Sequence, residues 1–210
     1  MGRCKSVKER ENLKMNQTNE MTKIKKSVIT AMLIATCVVL PMAFHAIPGA
    51  GPILLPMHIP VMLAGLVAGP IFGFITGLTG PFISATLTGM PPAPIMPSMM
   101  VELSVYGLVS GLMMKFVHTG RSSFDLYISL VTAMICGRVM AGIAQALVLF
   151  DGTYALSIWI SVHFVTSMAG IIVQLAFVPS LFMALERERI IPLRYPIMSS
   201  VHVRSSSVTV

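Results

Sequence analysis

Two charges stand where the chain around them is almost wholly apolar, Glu102 and Arg138. An ionised side chain at membrane depth is costly enough that it must face a bundle interior, a counter-charge or a polar cavity. The carboxylate and guanidinium suit recognition of a small polar solute, or else a buried ion pair that fixes two helices together; residue types alone allow both. Tyr106 lies four residues after Glu102, on the same helical face. Gln145 lies two turns beyond Arg138, and Trp159 and His163 are one turn apart, with Ser167 and Gly170 continuing their stripe. Glu102, Tyr106, Arg138, Gln145, Trp159 and His163 are therefore the candidate solute-binding set, combining one anion, one cation, amide and imidazole groups, and aromatic faces. Singly, some have plainer roles: Trp159 as an interfacial anchor, His163 or Gln145 as a bond to a neighbouring helix.

No catalytic template accompanies these residues. The chain has no G-x-x-x-x-G-K-[ST] phosphate loop, no H-E-x-x-H pair and no G-x-S-x-G elbow. Its histidines, His45, His58, His118, His163 and His202, are scattered, and Cys4, Cys37 and Cys136 lie far apart without C-x-x-C spacing. Neither a metal site nor a disulfide framework is indicated. The expectation is a protein that is not an enzyme and has no cofactor of its own. Two rivals differ in class: an intramembrane enzyme using Glu102, Arg138 and His163, and a self-contained secondary transporter driven by ions through the Glu102–Arg138 pair. Turnover, or solute uptake, by the purified chain alone would favour them.

The elements that must position these groups follow from charge distribution. Of 210 residues, 55% are hydrophobic and 11% charged, against about 25% charged in soluble domains. Seventeen of the 23 charged residues lie in 1–26 or 186–210, leaving six between Ser27 and Leu185. Six charges cannot clothe a water-soluble domain of that length, so the middle must face the lipid bilayer. The net charge of +7 and pI near 9.7 do not point to nucleic acid. Eight of the 15 basic residues fall within the first 26, beside an apolar run, where they set membrane orientation.

A spanning helix needs ~20 mainly apolar residues. Breaks at glycine, proline and charge give six: about 24–44, 54–69, 70–89, 95–117, 124–150 and 154–185. The predicted fold class is an all-α, polytopic six-helix transmembrane bundle over 23–186, with a basic tail over 1–22 and a C-terminal tail over 187–210. The second and third helices share a chargeless stretch whose best turn signal is Gly69-Pro70. Lys23-Ile-Lys-Lys26 before the run from Val28 to Phe44 also fits a signal peptide, but the run is long and no small-x-small cleavage site follows. An uncleaved first helix is expected.

With six helices, the connections 45–57, 89–94 and 151–153 contain no Lys or Arg, while the opposite segments and both tails hold 14 of the 15 basic residues. That bias predicts cytoplasmic termini in a multi-pass cell-membrane protein. The proline-rich connections His45–Pro60 and Gly89–Pro97 read either as lids over an outward-facing pocket or as stiff connectors. From the helix ends, Glu102 and Arg138 would lie ~10 Å and ~18 Å below the outer edge. Small residues at four-residue spacing (Ser27, Ala31, Ala35; Gly65, Gly69, Gly73, Gly77; Gly107, Gly111) leave grooves through which helices approach closely.

Taken in order, His58-Ile-Pro-Val-Met-Leu-Ala-Gly-Leu-Val-Ala-Gly-Pro, Leu87-Thr-Gly-Met-Pro-Pro92, Glu102-Leu103, Tyr106-Gly107 and Gly137-Arg138, with Ala31-Met-Leu-Ile-Ala35 as an Ala-x-x-x-Ala motif, resemble the substrate-binding S components of energy-coupling factor (ECF) vitamin transporters. The resemblance covers roughly Met21 to Glu188. It implies capture of a water-soluble vitamin or precursor in an outer-half pocket. It further implies pairing, through Ala31 and Ala35, with a transmembrane coupling protein and two cytoplasmic ATPases, so that ATP is used by the partner subunits. Arg138 would suit a carboxylate or phosphate on the solute, and Glu102 an amine or ring nitrogen; if the two neutralise each other, neither clue survives.

Overall fold

The protein is described by a computed structural model covering residues 21–44, 54–146 and 161–192, apart from the side chains of Phe44 and residues 162–164. Its helices are α1 (Lys23–Phe44), α2 (His58–Ala68), α3 (Pro70–Thr88), α4 (Met96–Phe116), α5 (Ser122–Ala144) and α6 (Met168–Arg187), the last preceded by a π-helical turn at Ser161–Thr166. No strand occurs among the described residues. Five of the helices are long and apolar enough to cross a membrane, making this an all-α membrane protein. Their lipid-facing character is plain in Ile71, Phe116, Ile135 and Ile172, all more than half exposed. The bundle has two ends: a proline-rich end, where α1, α3 and α5 finish and α4 begins, and a basic end carrying Lys115 and Arg121.

α2 differs from the others and from the span expected at 54–69. With 11 residues it is about 16 Å long, half the ~30 Å hydrocarbon thickness. The shortening is at its start. A residue before proline is disfavoured in the helical region, and Leu55, before Pro56, takes φ +48°. α2 itself begins only at His58. Met57 is buried and its carbonyl lies 3.9 Å from Cys37 Sγ, well below the α1 terminus, so the chain descends into the bundle before α2 starts.

Gly69 then reverses the chain in a single residue. Its φ of +103° is open to glycine and strained for other residues, and Pro70 sits in the first turn of α3, where a missing N–H costs nothing. Gly69-Pro70 is therefore a turn and not a kink. Beyond it, α2, α3 and α4 meet backbone to backbone. A Cβ on Gly107 would lie 2.1 Å from the Gly73 carbonyl oxygen, and one on Gly77 would lie 2.3 Å from that of Leu103. Helices in lipid associate through such contact, because the solvent supplies no hydrophobic drive. Ser27, Ala31 and Ala35 are different: all three are exposed on α1.

Polar ties close the basic end. Asp125 is fully buried and accepts hydrogen bonds from the Thr119 amide at 2.8 Å and the Thr119 hydroxyl. The Ser122 hydroxyl donates to the Glu186 carboxylate at 3.2–3.3 Å, joining the start of α5 to the end of α6.

Candidate functional site

α4 presents two different faces at consecutive positions, since successive residues are rotated by about 100°. Gly107 belongs to the seam with α3; Tyr106 turns toward α5. Gly137 makes room for it, because a Cβ there would lie 2.9 Å from Tyr106 Cε1. The phenol is fully buried and occupies the centre of a polar cluster. Its hydroxyl donates to Glu102 Oε1 at 3.0 Å, one turn back along α4. The Tyr106 hydroxyl oxygen in turn accepts from Arg138 Nε at 3.1 Å. Arg138 Nη1 donates in turn to Ser167 Oγ at 2.7 Å, at the start of α6. One hydroxyl thus links an acid to a base, and the base reaches the next helix.

α2 completes the cluster. His58, its first residue, packs edge-on against Tyr106 with ring centroids 5.1 Å apart. Its Nε2 lies 3.7 Å from Glu102 Oε1, too long for a hydrogen bond and short enough for electrostatic attraction. Arg138 is 2% exposed, Glu102 8% and His58 1%, so every charge is held inside the bundle, away from lipid. An ionisable group survives at such depth only among partners or at a solute site, and here residues of four helices converge on one cluster. Glu102 sits about 9 Å along α4 from its Met96 end, toward the proline-rich end.

The predicted set divides three ways. Glu102, Tyr106 and Arg138 are brought together. Gln145, half-buried, lies further toward the proline-rich end, its Nε2 3.4 Å from Ser98 Oγ. Trp159 and the His163 side chain lie outside the described residues, as do residues 45–53 of the first proline-rich connection, whereas 54–60 and Gly89–Pro97 are described.

Two contributors were not in that set. His58 fell within the helix expected at 54–69 and in the connection His45–Pro60, with no role assigned, and the descent of residues 54–57 places it inside the bundle. Ser167 was visible only as a small residue on a stripe. That stripe continues through Gly170 to Gln174, which is fully buried and, among the described residues, has no hydrogen-bond partner for either amide atom. The spacing of residues 167, 170 and 174 was the available signal. No group of three or more His, Cys, Asp or Glu that could hold a metal occurs among the described residues.

A cluster of this kind, buried between helices of a non-soluble chain, suits retention of a small polar molecule. Residues 25–182 match the family described as ECF transporter, substrate-specific component. The chain belongs to that family. The match runs from within α1 to within α6 and contains every residue of the cluster. No curated protein and no solved structure gives a match. As an ECF S component, the protein is a multi-pass membrane subunit that binds a small-molecule substrate and associates with an ECF module; it is a transporter subunit, not an enzyme, and ATP is used by its partners.

Proposed function

We propose that this S component captures a water-soluble vitamin or vitamin precursor at the junction of α2, α4, α5 and α6, with Glu102, Tyr106, Arg138, Gln145, Trp159 and His163 as its substrate-binding residues. The single observation that supports the reading is the buried Glu102–Tyr106–Arg138–Ser167 chain of hydrogen bonds. It is a concentration of polar groups that lipid contact or helix packing does not require. The positive-inside bias sets both termini in the cytoplasm, so the proline-rich end opens outward and receives the solute.

Delivery requires a coupling module, made of a transmembrane coupling protein and two cytoplasmic ATPases. The exposed small-residue face of α1 suits docking of the coupling protein at Ala31 and Ala35, because a smooth strip lets another helix approach closely. Ala31→Trp is expected to abolish co-purification with the coupling protein while leaving solute retention intact; unimpaired co-purification would count heavily against this docking face.

The central test is native mass spectrometry of the full chain purified in mild detergent from cells grown in rich medium. A non-covalent adduct of vitamin size is expected on the wild type and absent from Arg138→Ala. If the wild type carries no adduct and takes up none from a mixture of water-soluble vitamins, the proposal is lost.

A further inference from the structure

His58 has a chemical position that the pocket reading alone does not use. Its ring is 1% exposed, and neither Nδ1 nor Nε2 has a hydrogen-bond partner among the described residues. Buried polar side chains are nearly always partnered, so an orphan beside a solute site points to the solute. The two nitrogens are not equivalent. Nε2 faces the Glu102 carboxylate at 3.7 Å, and a nearby negative charge favours the tautomer whose N–H points at it. In that neutral tautomer Nδ1 is a bare lone pair, able only to accept.

We infer that His58 Nδ1 is a specificity-determining acceptor, reading a hydroxyl or N–H donor on the bound solute. The inference rests on the cluster being the solute site and adds the polarity of one wall. The α2–α4 side presents acceptors, the imidazole lone pair and the Glu102 carboxylate, while Arg138 on α5 presents donors. The matching class is a solute with an O–H or N–H edge toward α2 and an acceptor group toward α5. The edge-on contact with Tyr106 fixes the ring plane, and therefore the direction of that lone pair.

Side chains that mimic one nitrogen at a time test the assignment. An asparagine amide reaches the place of Nδ1, a glutamine amide that of Nε2, and phenylalanine keeps the ring and removes both. The full chain and the variants His58→Asn, His58→Gln and His58→Phe, each in lipid nanodiscs, are equilibrated with an equimolar mixture of thiamine, riboflavin, pyridoxine, nicotinamide, biotin and pantothenate. Retained molecules are quantified by mass spectrometry.

Loss of one acceptor should weaken retention about tenfold or more in the Gln and Phe variants and by no more than about threefold in the Asn variant. Equal losses in Asn and Gln would overturn the Nδ1 assignment, because a purely structural role does not distinguish them. Retention surviving in Phe would overturn any solute contact by His58. Retention of none of the six by the wild type would overturn the pocket reading itself. Should the Phe variant fail to elute as a single species, the Asn–Gln pair still decides.

Discussion

Tyr106 and Gly107 are neighbours on α4 and belong to regions built on opposite principles. On the Gly107 side, α2, α3 and α4 touch through main-chain atoms, and side chains have been removed to allow it. On the Tyr106 side, large polar side chains fill the space between helices, with Gly137 making room for the phenol. The first region has one arrangement, because backbone atoms pressed together cannot adjust. The second has adjustable contacts, among them a His58–Glu102 approach of 3.7 Å that a small shift would tighten. A capture protein needs both: a seam that does not move, and beside it a set of groups able to exchange internal partners for those of a guest.

Substitutions on the two sides should separate these roles. The greatest effect is expected at the seam. Gly107→Leu drives a side chain into the Gly73 backbone, where even a Cβ would lie 2.1 Å from oxygen. No rotamer relieves such a clash, so no monodisperse protein should be recovered on size exclusion. A folded Gly107→Leu protein would mean that the seam is not rigid.

Next is Arg138→Met, which keeps the volume and removes the cation from the cluster. Breaking a buried charge pair costs about 3–5 kcal/mol, visible as a large fall in the thermal unfolding temperature in detergent. Adding Glu102→Gln should recover part of that loss, since the stranded carboxylate is gone, yet restore no solute retention. Full recovery of retention in the double variant would assign the pair to packing alone.

Tyr106→Phe is the mildest. It deletes only the bridging hydroxyl, leaving Glu102 and Arg138 in place, at about 1.5–3 kcal/mol for hydrogen bonds to charged groups. The fall in stability should be smaller than for Arg138→Met, and an equal fall would indicate that the phenol itself holds the two charges.

Much of the fold was legible because charge is so unevenly spread: a chain with six charges between Ser27 and Leu185 can hardly be anything but a bundle in lipid. Glu102, Tyr106 and Arg138 were legible for the same reason, as polar groups stranded in apolar runs at helical spacing. The half-length of α2 was not. Hydropathy registers an apolar stretch whether it faces lipid or protein, and the positive-φ backbone at Leu55, before Pro56, leaves no trace in it. The depth of His58 depended on that descent, which neither the helix expected at 54–69 nor the connection His45–Pro60 revealed. Gln174 was hidden differently, as one amide within a helix whose apolar residues dominate any average.

The bridge through the Tyr106 hydroxyl has an electrical consequence. Moving a lone unit charge across the bilayer is worth about 2.3 kcal/mol per 100 mV of membrane potential. Glu102 and Arg138, tied through one oxygen, travel together with opposite signs, so the field does almost no net work on the pair. Whatever shift the bundle makes within the bilayer, this part of it is carried without help or hindrance from voltage.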